Sequence, residues 1–432
     1  MSRMVKEELE NLIDFKNGKK APSEFGNIPI YGGNGVLGYT NKWNFENTLI
    51  VGRVGAYCGS INIVEGKCWV SDNAIAASPK DKDSLKYFYY LLGELNLNKK
   101  QIGSSQPLLT QGILNNISAK IHKSDKEQKQ IAKVLSDLDA KIETNNKINA
   151  ELEAMAKLIY DYWFVQFDFP FDFAQGKPDV NGQPYKSSGG KMVYNEQLKR
   201  EIPEGWTSNT MADWIENDAN GDWGKSEPEG NYNVQVNCIR GADLPSLDGF
   251  KTNESPTRYI HKNKTHKILK SNDLIIEISG GSPTQSTGRI SFVTEETFKR
   301  YEAPLICSNF CKVVRLKEPK NLYIFYYTWK EAFEQGNMFN YEGKTSGIRN
   351  LLFSSLVESF KVPIPETGLV EKFYDFMKPI QKQKQRNLLE NQKLAELRDW
   401  LLPMLMNGQV TVREAEEQLG MVAEENGKYG KG

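Results

Sequence analysis

Two tripeptides place a glutamate two residues before a lysine, which is a spacing that metal-dependent nucleases use. They are Glu65-Gly66-Lys67 and Glu342-Gly343-Lys344. Such a centre also needs an aspartate upstream on a neighbouring strand to help hold the metal ion. Asp179 is badly placed for either tripeptide, and a three-residue pattern also arises by chance. The residues therefore disfavour a stand-alone nuclease, which is kept as an alternative.

A glycine-rich segment matches the dinucleotide fingerprint G-x-G-x-x-G. It runs from Gly33 to Gly38 and follows a strand-like segment. A dinucleotide site needs a helix whose N-terminus faces the pyrophosphate, whereas residues 39–44 are typical of a turn. We interpret the segment as a loop that presents polar groups. A DNA methyltransferase acting alone is the other alternative, but no Asn-Pro-Pro-Tyr or Asp-Pro-Pro-Tyr motif is present to hold a target amine.

The cysteine and histidine content disfavours a metal centre. The five cysteines form no Cys-x-x-Cys pair and lie mostly in apolar runs, and there are only three histidines. No segment approaches the roughly 18 apolar residues that a membrane span requires. We expect structural thiols, no metal, no membrane association and a cytoplasmic location.

Binding residues are better represented than catalytic ones. Residues 258–270 hold five lysines and arginines and no acid, and hydroxyl and amide side chains follow. A charge run is also typical of a solvated helix or loop face, but this mixture favours contact with phosphates and base edges. The candidate DNA contacts are Lys19, Lys20, Asn34, Lys42, Arg53, Tyr57, Gln106, Arg240, Lys262, Lys264, Lys267, Gln285, Arg289, Lys344 and Arg349.

The overall charge gives no such indication. Lysines and arginines number 55, as do the acids, so the formal net charge is zero. The length of 432 residues is enough for two or three domains. Any basic surface must therefore be local.

The strongest pattern is an internal repeat of two long helical segments at an offset of 242 residues. Apolar residues recur every seven positions in both, which predicts a coiled-coil seam. The first series is Ile131, Leu138, Asn145, Leu152 and Ile159 against Phe373, Ile380, Asn387, Leu394 and Leu401. The second is Leu135, Ile142, Met155 and Tyr162 against Met377, Lys384, Leu397 and Met404. A single amphipathic helix on a globular core is the alternative for either segment alone.

Asn145 and Asn387 occupy matching core positions of the two segments. A polar residue there fixes register, and we expect the two amides to meet. Ser124 and Glu127 form a capping box at the start of the first helix. Pro379 predicts a kink, or a separate short helix before it, in the second.

Segments of different amino-acid composition precede the two helices. Short β-branched runs, glycines and aromatics predict mixed α/β domains that resemble each other, as in residues 49–51 and 274–276. Residues 167–200, rich in proline and glycine, predict a linker with little to bury.

Several motifs resemble those of the specificity subunit of type I restriction-modification systems. Residues 28–39 and 237–244 resemble the early motifs of two types of target recognition domain, and residues 202–206 resemble the start of one. Residues 127–164 and 388–410 resemble the two conserved regions. The order and duplication of these motifs, over nearly the whole chain, carry the resemblance. The first half lacks a counterpart of 202–206, and the unlike early motifs predict an asymmetric target.

The resemblance implies an α+β fold in which two long helices, packed as an antiparallel coiled coil, separate two mixed α/β target recognition domains with pseudo-twofold symmetry. Each domain would read one half of a bipartite site in double-stranded DNA. The expected divisions are 1–122 for the first recognition domain, 123–166 for the central helix, 167–200 for the linker, 201–365 for the second recognition domain, 366–410 for the C-terminal helix and 411–432 for the tail.

The resemblance also implies that this chain is not an enzyme and holds no cofactor. Two methyltransferase subunits would use S-adenosylmethionine to methylate adenine N6, and restriction and translocation subunits would use ATP and Mg²⁺ to cleave DNA. A scaffold that binds only proteins is the remaining alternative.

Overall fold

Both ends of the chain contribute to the same unit. The first unit comprises residues 1–143 and 393–432, and the second comprises residues 144–392. The structure, a computed structural model, describes residues 4–103, 107–249, 254–280, 282, 284–345, 348–418 and 420. The fold is mixed α/β with two long helices, as the sequence predicts.

The first unit is built around one large sheet of six strands. The strands of the unit are β1 (Met4–Glu8), β2 (Ile13–Asn17), β3 (Ile28–Gly32), β4 (Gly35–Thr40), β5 (Phe45–Gly52), β6 (Ile61–Val70), β7 (Ala74–Pro79) and β8 (Ser118–His122), and its helices are α1 (Leu85–Glu94), α2 (Gln111–Asn115) and part of α3 (Asp125–Tyr160). Strands β1 and β8 pair with each other in a separate sheet. The sheet order is β2-β7-β5-β6-β3-β4, with β3 parallel to β6 and the other neighbours antiparallel. Leu49, Ile50 and Val51 in β5 are all buried, as in a strand covered on both faces.

The second unit contains several smaller sheets. Its strands are β9 (Pro170–Asp172), β10 (Lys177–Pro178), β11 (Gln183–Pro184), β12 (Met192–Asn195), β13 (Arg200–Pro203), β14 (Thr207–Thr210), β15 (Ile215–Asn220), β16 (Tyr232–Ile239), β17 (Thr257–His261), β18 (Leu274–Glu277), β19 (Ser279–Gly280), β20 (Ile290–Phe292), β21 (Leu305–Cys307), β22 (Cys311–Leu316), β23 (Glu342–Thr345), β24 (Ile348–Leu351) and β25 (Lys361–Ile364). Its helices are α4 (Leu244–Leu247), α5 (Glu295–Phe298), α6 (Leu322–Glu334), α7 (Phe353–Ser359) and residues 367–392 of α8 (Thr367–Met406). The central sheet has the order β15-β22-β18-β20 and is antiparallel throughout.

The hairpin of β3 and β4 contains the glycine-rich segment. Strand β4 begins at Gly35, whose φ of +84° suits glycine, and no helix follows the segment. The predicted loop is therefore wrong, because residues 35–38 belong to strand β4, and the segment lacks the helix that a dinucleotide site requires.

Helices α3 and α8 contact each other along the predicted seam. In the first unit Leu135 and Leu138 share an apolar cluster with Leu394 and Leu401. In the second unit Ala156 and Tyr160 share another with Phe373 and Ile380. The start of α3 carries one of the two hydrogen bonds of the predicted capping box, in which the amide of Glu127 donates to Oγ of Ser124 at 3.4 Å.

The second heptad series is wrong at Met155. Met155 is 41% exposed, whereas Asn149 and Ala156 are buried. Steps of seven from Leu135 lead through Ile142, Asn149 and Ala156, so the seam includes a polar and a small residue that an apolar pattern misses.

The two asparagines do not meet, which corrects the predicted pairing. Nδ2 of Asn387 donates to Oδ1 of Asn149 at 2.8 Å. Nδ2 of Asn145 donates to Oδ1 of Asn391 at 2.9 Å. Asn391 follows Asn149 by the same 242 residues, so the two hydrogen bonds join equivalent positions of the repeat. The helices run antiparallel through these contacts. Asn387 therefore contacts Asn149, which lies one helical turn after its repeat equivalent Asn145.

Helix α8 continues through Pro379, so the predicted separate short helix does not form. Proline removes a hydrogen bond to the carbonyl four residues earlier. Asp375 and Pro379 are both exposed, which lets water satisfy that carbonyl.

The segment predicted as a linker buries three aromatic residues, Phe167, Phe169 and Tyr185. The rings of Phe169 and Tyr185 stack with centroids 4.7 Å apart, and Trp206 lies against Phe169 at 5.5 Å. These contacts make the segment part of the core of the second unit, whereas little burial was expected.

The five cysteines are free and buried. Burial raises the pKa of Cys68 to about 11 and that of Cys238 to about 12, so both remain thiols at neutral pH. In the described part of the chain, no helix has the length and apolar content that crossing a membrane requires.

Candidate nucleic-acid interface

Cationic residues of the second unit gather at one end of its central sheet. Strand β18 ends there at Glu277, which pairs with Cys311, and its amide donates to the carbonyl of Arg289 at 2.9 Å. Arg240 follows β16 at the same end. A Cβ added at Gly241 would lie 2.6 Å from Oε1 of Glu277, which places the Arg240 loop directly against this carboxylate.

A second contact extends this end of the sheet. Gly280 in β19 pairs with Arg349 in β24. Nη1 of Arg349 donates to Oε2 of Glu342 at 2.7 Å, and the guanidinium carbon lies 5.6 Å from the centre of the Phe339 ring. Three candidate contacts that are far apart in sequence, Arg240, Arg289 and Arg349, therefore come together.

Arg289 is held by a nearly inaccessible carboxylate. Its Nε donates to Oε2 of Glu277 at 2.9 Å and its Nη2 donates to Oε1 at 2.6 Å. The Glu277 side chain is 3% exposed and that of Arg289 is 24% exposed. Hydrogen bonding to Glu277 raises the pKa of Arg289, which keeps the guanidinium charged. The pair fixes the direction of the arginine, as a bidentate contact does.

Arg240 is held in the same way but has a further partner. Its Nε and Nη2 each donate to the carboxylate of Asp243 at 2.8 Å, and Nη2 also donates to the carbonyl of Glu254 at 3.0 Å. The Asp243 side chain is buried. More of the hydrogen-bonding capacity of Arg240 is therefore used within the protein.

The basic segment forms β17 and a short 3-10 helix at Lys262–Lys267. Lys262 is exposed and Lys264 is half-buried. Nζ of Lys267 donates to the carbonyl of Gly221 at 2.9 Å, beside the start of β22. Gln285 is exposed, and the side chain of Lys344 lies outside the described residues.

In the first unit, Asn34, Arg53 and Tyr57 lie on adjacent loops. A Cβ added at Gly33 would lie 2.9 Å from Cα of Gly52 and 3.4 Å from Cβ of Tyr57, so the β3-β4 turn abuts the loop after β5. Asn34 and Tyr57 are exposed. Nε of Arg53 is buried and has no hydrogen-bond partner among the described residues.

The remaining candidates of the first unit have more varied surroundings. Lys19 and Lys20 are exposed after β2, and the carbonyl of Lys19 accepts a hydrogen bond from Nε1 of Trp69. Lys42 forms an exposed ion pair with Glu24 at 2.6 Å. Gln106 lies outside the described residues.

The carboxylates that hold the arginines were missed by the sequence analysis. Only Asp243 gives a local signal, because it follows Arg240 by three residues and can cap the same turn. Glu277 and Glu342 reach their arginines through strand pairing, which the chain order does not reveal.

The two glutamates considered for nuclease chemistry are engaged elsewhere. Glu342 binds Arg349, and its Oε1 also accepts a 2.7 Å hydrogen bond from the amide of Thr287. Oε1 of Glu65 lies 3.3 Å from Nζ of Lys86. Within the described ranges, no three histidine, cysteine, aspartate or glutamate side chains are grouped as a metal site requires.

Comparison with known proteins addresses the resemblance directly. Residues 1–154 match the family model of the type I restriction modification DNA specificity domain. The type I restriction enzyme MjaIX specificity subunit of Methanocaldococcus jannaschii is 24% identical over 343 residues, which cover 78% of this chain and 71% of that protein. The EcoprrI specificity subunit of Escherichia coli is 30% identical over 112 residues, which cover 26% of this chain and 28% of that protein.

A solved structure shares the fold. The S subunit of a type I restriction-modification system from M. genitalium aligns with a TM-score of 0.61 at 17% identity, covering 94% of this chain and 96% of that one. This similarity shows a shared fold, and the sequence matches show that the chain is similar to specificity subunits of type I restriction-modification systems.

Proposed function

We propose that this chain selects the DNA sequence for a type I restriction-modification complex, with each unit reading one half of an asymmetric bipartite site. The observation that carries the proposal is the gathering of Arg240, Arg289 and Arg349 at one sheet end, on a chain whose relatives are named specificity subunits. Arginine is the side chain that most often reads guanine in the major groove, and it also binds phosphates.

Unlike loop chemistry in the two units supports an asymmetric target. The candidate loops of the first unit present Asn34, Tyr57 and a guanidinium with a free Nε among described residues. Those of the second unit present arginines that carboxylates already hold. Two surfaces of such different chemistry are expected to prefer different bases.

Helices α3 and α8 are proposed to set the gap between the half-sites and to dock two methyltransferase subunits. Their amide contacts are specific for one register, because a slip would leave buried amides unpaired. Ile148 and Leu158 on α3 and Trp400 on α8 are exposed apolar residues that a partner helix would cover.

The chain itself is proposed to be non-catalytic and to act in the cytoplasm. S-adenosylmethionine, ATP and Mg²⁺ would be bound by the methyltransferase and the restriction and translocation subunits. Binding of double-stranded DNA would depend on these partners for much of the phosphate neutralisation, which accords with the zero net charge.

Mapping methylated adenines in a host that carries this chain with its methyltransferase partner tests the proposal. We expect one asymmetric, bipartite motif with a fixed gap. Substitutions in the first unit should change one half of the motif and those in the second unit the other half. If substitutions throughout both units leave the motif unchanged, the proposal is wrong. Methyl transfer or cleavage by the purified chain alone would favour the enzyme alternatives.

A further inference from the structure

We infer that Arg289 reads a guanine in the half-site of the second unit and that Glu277 is the positioning residue that directs it. This inference rests on the proposed function and names the base that this site would take. It is carried by the edge of the guanidinium that Glu277 occupies, by the burial of that carboxylate and by the position of the pair in the sheet.

The guanidinium of Arg289 uses one of its two hydrogen-bonding edges within the protein. Nε and one N–H of Nη2 face Glu277, at 2.9 Å and 2.6 Å. The other edge consists of Nη1 and the second N–H of Nη2. No described residue accepts a hydrogen bond from Nη1 of Arg289. Two parallel donors on this edge match O6 and N7 of guanine in the major groove.

The surrounding backbone holds the carboxylate of Glu277 in place, so the carboxylate cannot move together with the Arg289 side chain. Its carboxylate lies between the backbones of two glycines, because a Cβ at Gly241 or Gly280 would come within 2.6 Å or 2.7 Å of Oε1. Burial of an ionised carboxylate requires a partner, and Arg289 supplies it through two hydrogen bonds. The carboxylate therefore fixes both the position and the plane of the guanidinium before DNA arrives.

The other arginines at this sheet end are less suited to the same task. Nη2 of Arg240 donates to the carbonyl of Glu254 as well as to Asp243, so its outer edge is partly used. Arg349 has a single hydrogen bond to Glu342 through Nη1, which lies on the edge that guanine would need. Of these three arginines, only Arg289 has the edge formed by Nη1 and Nη2 without a hydrogen-bond acceptor among the described residues.

The chain provides a matched control at the opposite end of β18. Nε and Nη2 of Arg315 donate to the carboxylate of Asp273 at 2.7 Å and 2.9 Å. The Asp273 side chain is 3% exposed and Arg315 is 27% exposed, nearly the values of the Glu277 pair. Arg315 lies near the end of β22 and Asp273 directly before β18, away from the loops of Arg240 and Arg349. A purely structural role would make the two pairs equivalent.

The test is the methylation motif of the complete complex carrying Arg289→Lys, Glu277→Gln or Arg315→Lys. Lysine keeps the charge but cannot donate two parallel hydrogen bonds. Glutamine keeps the shape of Glu277 but cannot accept from both guanidinium nitrogens. We expect Arg289→Lys and Glu277→Gln to relax the same guanine position by about tenfold or more, and Arg315→Lys to leave the motif unchanged.

Several outcomes would overturn the inference. They are a parental second half-site without guanine, equal effects of Arg289→Lys and Arg315→Lys, relaxation of different positions by Arg289→Lys and Glu277→Gln, and uniform loss of methylation at every site. Thermal unfolding of each variant reports any loss of folding separately. A parental motif that is not bipartite would instead count against the proposed function, and the correspondence between Arg289 and one guanine could still be read.

Discussion

The side-chain amide of Asn387 in α8 donates a hydrogen bond of 2.8 Å to the amide oxygen of Asn149 in α3, and both residues are buried. Asn145 and Asn391 form the equivalent contact at 2.9 Å. Amides that satisfy each other across a seam define a single alignment of the helices, since any slip leaves them unpaired.

Replacing one member of the pair should therefore cost more than replacing both. Asn387→Leu leaves Oδ1 of the buried Asn149 without its donor, which we expect to lower the free energy of unfolding by about 1 to 3 kcal/mol. The double variant Asn149→Leu with Asn387→Leu should recover much of this loss but methylate sites with more than one gap length. Urea unfolding and the methylation map measure the two effects, with exposed Glu151→Leu as control. A single gap length in the double variant would contradict the role in register.

Glu153 should make stability depend on pH in the acid range. Burial alone would raise its pKa, but the ammonium groups of Lys384, at 2.5 Å, and Lys330, at 2.7 Å, outweigh burial and lower the pKa to about 2. A carboxylate with a lowered pKa contributes stability above its unfolded pKa of about 4.5, and this contribution is lost as the pH falls towards 2. The shift corresponds to about 3 kcal/mol.

Glu153→Gln is the variant that isolates this contribution. It should be less stable than the parent at pH 7, and the difference should shrink as the pH falls from 4.5 to 2, because Glu153 of the unfolded parent is protonated near pH 4.5 and that of the folded parent only near pH 2. The pKa of Asp248 is raised by burial and also by the charge of Glu153, so both proteins are compared in an Asp248→Asn background. Glu151→Gln on the exposed face of the same helix is the control. A difference that stays constant with pH would contradict the prediction.

The repeat supplies apolar replacements for the buried ion pair. The positions equivalent to Lys384 and Glu153 are occupied by Ile142 and Ala395. Lys384→Ile alone removes one cation from Glu153 and should destabilise the protein by about 3 kcal/mol. Adding Glu153→Ala should restore at least half of this, because a buried ion pair can often be replaced by apolar residues without loss. Urea unfolding of the two single variants and the double variant measures the coupling, and additive losses would contradict it.

The lysines of the basic segment should act through phosphates. Lys262→Ala and Lys264→Ala are expected to weaken DNA binding by the complex equally for all sequences, and each should reduce the salt dependence of log K by about 1. Binding titrations at several salt concentrations measure this. Lys299→Ala is the control, since Lys299 is exposed in the same unit but follows α5, beyond the other end of β20. A change of preferred sequence in the Lys262 or Lys264 variant would refute the assignment to phosphate.

Arg53 should determine the half-site of the first unit. Arg53→Met keeps the aliphatic stem but removes a guanidinium whose buried Nε has no partner among the described residues. We expect relaxation of one position in one half of the methylation motif, with the other half and the gap unchanged. Lys120→Ala, exposed on β8, should leave the motif as it is. Relaxation in both halves would show that the units do not read separately.

The long helices were the most predictable part of the fold. Ser124 and the apolar series from Ile131 identified α3, because capping and periodicity are local properties of the chain. The later seam positions were harder to predict from the sequence, since Asn149 is polar and Ala156 is small. The predicted pairing of Asn145 with Asn387 was wrong because, in the antiparallel pair of helices, Asn387 contacts Asn149, four residues after Asn145.

The candidate interface was predictable only in its residue types. Arginines could be nominated from their chemistry, but the partner of Arg289 lies twelve residues earlier in another strand. Burial of Glu277 between Gly241 and Gly280 depends on strands that pair at long range. The aromatic packing of Phe169 on Tyr185 was likewise hidden in a segment rich in proline and glycine.

The buried pair of Glu153 and Lys384 also makes the two halves of the chain dependent on each other in sequence. A chain made by duplicating the first half would place an isoleucine where Glu153 requires Lys384, and one made by duplicating the second half would place an alanine where Lys384 requires Glu153. Either product would bury a charge without its counterion. We therefore expect an exchange of whole halves between related chains to preserve the stability of this pair only when the incoming half carries the complementary charge.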